Sequence, residues 1–234
     1  RQARQNIQRG LKYGSIEPIP ISRLVNEGWH LQQDTLERQG RADAQTEEEW
    51  RRICTSAQDL PGFEAWGAIH DGQLVATFLG FRCDDCYTLR YEMSATAHLE
   101  SRVNNAIFYF VTREALKRDG ISRVFFTLES LDAPASVDQF KIRMGYTAKP
   151  VRQRVVFHPW LAPALNMATY AVIRWMLGRQ SNSPSLAKVE GMLRFYLEGE
   201  CPPTGQDWPE FLVDRKNELF ESLNFRDESR GGAK

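Results

Sequence analysis

The run Phe63-Glu-Ala-Trp-Gly-Ala-Ile-His-Asp-Gly-Gln-Leu-Val-Ala-Thr-Phe-Leu-Gly-Phe-Arg82 decides the fold. Apolar and β-favouring residues fill Phe63–His70 and again Gln73–Arg82. Between them stands Asp71-Gly72, a dipeptide suited to a type I′ hairpin turn because both central positions there need positive φ. Cys83-Asp-Asp-Cys86 brackets a second tight turn, and Tyr87–Ser94 extends the hairpin into a three-strand antiparallel meander. Downstream, Asn104–Asp119 carries Ile107, Phe110, Val111 and Leu116 for burial, and Gly120 ends that helix. Arg123–Glu129 then reads as a buried strand, Ser136–Met144 as a short helix closed by Gly145, and Tyr146–Phe157 as one or two further strands. A meander feeding a β-α-β crossover predicts an α/β (α+β) domain: a mixed, mostly antiparallel sheet flanked by helices.

Working outward toward the start of the chain, Gln2–Lys12 has helix-forming composition, and Ser15–Ile21 reads as an edge strand, since Pro18 and Pro20 cannot donate to a central ladder. Arg23–Arg38 is a helix with Leu24, Trp29, Leu31 and Leu36 facing inward. Thr46-x-x-Glu49 is a capping-box signature that opens a helix carrying Trp50, Ile53, Cys54 and Ala57. Toward the other end, Leu161–Leu177 reads as one long apolar helix. Asn166, Thr169 and Arg174 interrupt it, so either a packed helix or an interfacial one, the latter in peripheral contact with a membrane, is expected rather than a span. Leu186–Leu197 is amphipathic, and Pro209–Leu223 is a last helix with Asp207 placed to cap it.

Thirty basic residues meet thirty acidic ones in this 234-residue chain. No global field draws it to DNA, RNA or anionic lipid, so any such binding must rest on a local patch. Four cysteines do not make a disulfide scaffold. Cys83-x-x-Cys86 is half of a zinc site, and the remaining cysteines and the four histidines show no ligand spacing, so no metal is expected. The basic, polar run Arg1–Gly10 does not resemble a secretory signal, which makes the cytoplasm the expected compartment. The chain opens without Met, and an upstream segment is expected.

The strand order, together with Gln139-Phe-Lys-Ile-Arg-Met-Gly-Tyr146, resembles the GNAT acyltransferase superfamily over roughly Phe63–Pro150. One branch is similar in three places. Arg4-Gln-Asn-Ile-Gln-Arg-Gly-Leu-Lys12 resembles the basic helix of the Fem-type peptidyltransferases and their FemAB-like relatives. Thr35-Leu-Glu-Arg-Gln-Gly40 resembles their Thr-x-x-Arg-x-Gly helix end, and Phe140-Lys141 before Gly145 resembles their Phe-Lys signature. That likeness implies a GNAT-like domain over residues 1–158, the second of a tandem pair, then a helical extension over 159–226 and a disordered tail over 227–234.

The resemblance implies acyl transfer to a small-molecule or peptide amine. The donor is acetyl-CoA or another acyl-CoA, or, in the Fem-type reading, aminoacyl-tRNA for cell-wall peptide synthesis. A third reading is a catalytically inactive binding module. In GNAT proteins the strands equivalent to Tyr87–Ser94 and Arg123–Glu129 splay apart, the thioester lies in the gap, and backbone N–H groups polarise its carbonyl. The donor's pyrophosphate sits on the next helix N-terminus. Here that turn matches Arg102-Val-Asn-Asn-Ala-Ile107, which makes Arg102, Asn104 and Asn105, with Phe140, the donor-binding candidates. Asn105 stands where the family has its first glycine.

Lys141 falls where many GNAT enzymes place an acid tyrosine, and the resemblance gives it the task of stabilising developing negative charge. Glu92 and Glu129, each near the end of a core strand, are the candidate bases, and two neighbouring carboxyls raise one pKa toward neutrality. Tyr146 is a further acid candidate, with Tyr91 behind it. His98, in the loop after Ser94, is a weaker base candidate.

Overall fold

A computed structural model describes residues 2–41, 44–128, 136–149, 155–179, 183–198, 208, 210–219 and 221. The chain divides into two compact units, Arg1–Glu129 with Arg143–Tyr146, and Ser130–Ile142 with Thr147–Lys234.

The first unit is built on a five-stranded sheet in the order β1-β2-β3-β4-β5. Its strands are β1 (Ser15–Ile19), β2 (Phe63–His70), β3 (Gln73–Cys83), β4 (Cys86–Ser94) and β5 (Arg123–Phe125). The first four run antiparallel to their neighbours, and β5 joins β4 in parallel. Pro18 lies in β1, an edge strand. Asp71 and Gly72 turn the β2–β3 hairpin with φ of 48° and 78°. Cys83 and Cys86 pair across the next turn as free thiols.

Two helix pairs cover this sheet. On one face, α2 (Ile21–Arg38) and α3 (Glu47–Gln58) bury Leu24, Leu31, Trp50, Cys54 and Ala57 against Ala65, Leu74, Leu79 and Met93. The Thr46–Glu49 capping box is present, and Trp50 Nε1 donates to the Leu24 carbonyl at 3.1 Å. On the other face, α4 (Val103–Leu116) sets Phe108 edge-on to Phe78 of β3, with ring centroids 5.4 Å apart. The helix α1 (Gln2–Tyr13) lies against α4 so closely that a Cβ at Gly10 would stand 2.4 Å from the Arg102 carbonyl oxygen. Only glycine permits that approach.

The strand expected over Arg123–Glu129 is shorter in the structure. β5 ends at Phe125, and Thr127 adopts a left-handed φ of 49°, which breaks the extended run. Residues 146–149 and 155–157, where further strands were expected, are not strand, and 150–154 lie outside the described residues. The short helix is observed as α5 (Ser136–Arg143).

In the second unit the expected long helix is split. A 3-10 segment, Pro159–Ala164, precedes α6 (Met167–Arg179). Pro163 cannot donate to a continuous ladder, and Asn166 starts the helix anew, its Oδ1 accepting from Thr169 N at 3.0 Å. α7 (Pro184–Glu198) follows. The last helix is 3-10 over Glu210–Arg215 with a helical turn after it. Asp207, the remainder of that helix and the 227–234 tail lie outside the described residues.

Candidate active site

β5 pairs with β4 only over Cys86–Thr88, through Arg123, Val124 and Phe125. From position 89 to 94, among the described residues, β4 has a strand neighbour on its β3 side alone. β5 ends after three paired residues, so among the described residues a wedge without a strand borders β4 from there on. The backbone groups along its β4 side are free of a ladder.

Which side chains face α4 from β4 is set by a bulge. Leu79 pairs with Tyr91 and Gly80 with Leu89, so Arg90 is one residue too many. Tyr87 faces α4, since the Arg118 guanidinium beyond that helix lies 5.6 Å from its ring. Five positions later, strict alternation would turn Glu92 to the opposite face. The extra residue resets the phase. Glu92 instead pairs with Phe78, whose ring meets Phe108 of α4, so the carboxyl and the aromatic rings share the α4 side.

Glu92 is half-buried, and its carboxyl has no hydrogen bond or ion pair among the described residues. Burial pushes its carboxyl up to about 8, against a partial counter-effect from the Arg38 guanidinium. Tyr146 lies near enough for the Glu92 charge to act on it. Its hydroxyl, linked by a short hydrogen bond to Thr112 Oγ1, is pushed up to about 12, chiefly by burial, with the Thr112 bond opposing and Glu92 adding. The Phe126 ring stands 5.1 Å from Tyr146 and 4.5 Å from Phe108. A carboxyl raised by burial therefore shares the α4 side with Phe78, in the unit that also holds Tyr146 and the wedge.

The far end of β4 is stitched to α2. Thr35 Oγ1 accepts from Ser94 N at 3.1 Å, and Arg38 Nη1 donates to the Ser94 carbonyl at 3.1 Å and to Thr96 Oγ1 at 2.9 Å. Asn104, in the first turn of α4, donates to Ser94 Oγ at 3.0 Å, and its Oδ1 is buried without a partner. The Thr35-x-x-Arg38 spacing is thus a clamp on the strand end. Spacing alone did not reveal what the pair would hold, because Ser94 is 56 residues from Arg38 in the chain.

Arg102 heads α4 in a left-handed conformation, φ 66°, with its side chain exposed. No side chain caps this helix and no acidic residue stands in its first turn, so its first N–H groups have no side-chain acceptor. Asn105 turns its amide onto Met144 Sδ at 3.4 Å. The two asparagine side chains of the turn engage Ser94 and Met144.

Lys141 and Phe140 belong to the second unit, where Lys141 Nζ meets Asp138 Oδ1 at 2.8 Å with both side chains about a tenth exposed. Glu129 lies outside the described residues. Tyr91 faces α3, its ring edge-on to Trp50 at 5.7 Å. His98 Nδ1 is 2.6 Å from Tyr13 OH, away from Glu92 in the hydrogen-bond pattern. Thr112 and Arg38 were missed as site residues. Thr112 was detectable as the one hydroxyl among Phe108, Val111 and Ala115 on the inward side of α4.

No protein-family model and no curated protein matches the sequence. Among solved structures, a possible acetyltransferase from Clostridium difficile 630 superposes with a TM-score of 0.50 at 9% identity, covering 62% of this chain and 98% of that one. The chain has a GNAT-like fold. An aminoglycoside acetyltransferase from an uncultured soil metagenomic sample, in complex with sisomicin, gives a TM-score of 0.49 at 11% identity, covering 63% of this chain and 95% of that one. A ribosomal-protein-alanine N-acetyltransferase from Brucella melitensis biovar Abortus 2308 gives 0.48 at 13%, covering 62% and 99%. The GNAT-like frame accounts for the parallel β4–β5 pair and the helix that begins after β4.

Proposed function

We propose that this chain is an N-acyltransferase of GNAT type that moves an acyl group from acyl-CoA to an amine. The observation that carries the reading is Glu92, a carboxyl pushed up to about 8 on the strand that borders the wedge. A base of that strength matches its task. At pH 7 about a tenth of it is ionised, and an ionised Glu92 is basic enough to take a proton from an ammonium acceptor. The freed amine then attacks the acyl carbonyl, and β4 backbone N–H groups facing the wedge receive the developing oxyanion. Tyr146, held by Thr112, supplies a proton to the departing thiolate. The donor supplies the activated carbonyl. In this reading Arg102 and the first-turn amides of α4 hold its phosphates.

Lys141 keeps its assignment from the resemblance alone, as a residue that stabilises charge. The FemAB-like branch, with aminoacyl-tRNA as donor, rests on the same motifs and is a second arm of the assay. Purified protein is mixed with acetyl-CoA or longer acyl-CoAs and a panel of small amines and peptide N-termini, and free thiol is followed. Thiol release that falls about a hundredfold in Glu92→Gln supports the base assignment. Transfer from aminoacyl-tRNA without thiol release assigns the Fem-type donor. The aromatic row Phe78, Phe108, Phe126 and Tyr146 favours one other reading, a GNAT-like fold kept as a binding module. Absence of transfer from both donors selects that reading.

A further inference from the structure

The helix α6 (Met167–Arg179) has two apolar sides, and among the described residues only one of them is packed. Tyr170, Ile173 and Leu177, spaced i, i+3, i+7, form the inward side. Tyr170 is buried and donates to Glu190 of α7 at 2.9 Å. The opposite side repeats at the same helical spacing, as Ala168, Ala171, Val172, Trp175 and Arg179, and all five are exposed. Val172 is 55% exposed and Trp175 57%. A surface helix ordinarily turns a polar side to water, and a helix apolar all round is covered on both sides. The approach to α6 repeats the pattern, with Trp160 89% and Leu161 48% exposed in the 3-10 segment.

Charge and residue type select the occupant. From Pro159 to Arg179 there is no acidic residue, and the two charged side chains are Arg174 and Arg179, both exposed. The Arg179 guanidinium lies 4.0 Å from the Trp175 ring centroid, which places a cation at the rim of the apolar stripe. Tryptophan with arginine at the edge of an apolar stripe suits the headgroup boundary of a bilayer, where the ring is half solvated and the cation meets phosphate. No described helix is long and apolar enough to cross a membrane, so the contact lies in the plane of the surface. We infer that the Ala168–Trp175 side of α6 docks on an anionic lipid surface, with Trp175 inserted at the headgroup level and Arg179 on the phosphates. This stands apart from the acyl-transfer reading, because it uses none of the residues assigned there.

The full chain is sedimented with vesicles of phosphatidylcholine, alone and with about a quarter phosphatidylglycerol. Expected is pelleting with the mixed vesicles, weaker pelleting with phosphatidylcholine alone, and a blue-shifted tryptophan emission on binding. Trp175→Glu and Val172→Glu each lower the partition coefficient by at least about tenfold, while Trp175→Phe stays within about threefold of the parent. Both substituted positions are exposed, so thermal melting of the variants stays at the parent value. Arg179→Glu, which reverses an exposed charge, provides the independent arm and removes the preference for the anionic vesicles. Pelleting of Trp175→Glu at the parent level overturns the proposal, as does failure of the parent to pellet with any vesicle. A concentration-dependent dimer dissolved by Trp175→Glu, without lipid binding, gives the stripe to a second copy and likewise overturns it.

Discussion

Replacing Glu92 by glutamine tests the central electrostatic argument without any knowledge of substrate. The amide keeps the shape and has no charge to lose. In the folded chain, burial lifts the Glu92 carboxyl from an ordinary 4.5 to about 8. Unfolding restores the ordinary value, so between those limits the unfolded chain releases a proton that the folded chain keeps. Stability from this group is therefore full at acid pH, falls as pH rises above 4.5, and levels off above about 8. At 1.36 kcal/mol per unit, the parent should lose about 3 kcal/mol relative to Glu92→Gln between roughly pH 5 and pH 8. Urea unfolding followed by circular dichroism, run on both proteins across that range, reads the difference directly. Using the difference cancels every other titrating group that the substitution leaves alone. A gap that stays flat within about 0.5 kcal/mol shows that the carboxyl is solvated. It would then have no claim to act as a neutral-pH base on these grounds.

Three further outcomes are expected. Gly10→Ala puts a methyl group 2.4 Å from the Arg102 carbonyl oxygen, so α1 must move off α4, at a cost of about 2 kcal/mol or more in chemical denaturation. Thr35→Val removes the acceptor of Ser94 N at the buried end of β4 and costs about 1–3 kcal/mol, with amide exchange at Ser94 accelerated. Lys141→Ala lowers the acyl-transfer rate by at least about tenfold and, by stranding the buried Asp138, also destabilises the chain by about 3 kcal/mol. Adding Asp138→Asn should restore the stability and leave the rate low. Recovery of both would reduce Lys141 to a structural partner of Asp138.

The sequence was most readable where local chemistry and tertiary structure agree. Asp71-Gly72 dictated its hairpin, Thr46 and Glu49 their capping box, and Pro18 the edge position of β1. It was least readable where one residue overrules a pattern. The apolar run at Leu161–Leu177 looks continuous, yet Pro163 and Asn166 break it into a 3-10 segment and a helix. β5 was read too long because Phe125, Phe126 and Leu128 favour strand, while Thr127 leaves extended φ. The site divides the same way. Glu92 and Tyr146 lie near each other as residues of one unit. Arg38 and Thr112 gained their roles only from contacts across 56 and 34 positions, a distance no spacing rule spans.

The unpaired Arg90 in β4 has a wider consequence. A strand is a two-state code, inside or outside at each step, and an extra letter inverts everything after it. Tyr87 and Glu92 are read on opposite sides of that inversion. Ironing the bulge out with every residue kept would send the carboxyl into the Trp50–Met93 core and bring Tyr91 to the wedge, whereas deleting Arg90 would leave Tyr87 and Glu92 an even number of positions apart and on one side. The chemistry of this fold is thus protected by a count rather than by any one side chain. Substitutions at Arg90, and its loss, should both leave Glu92 on the α4 side.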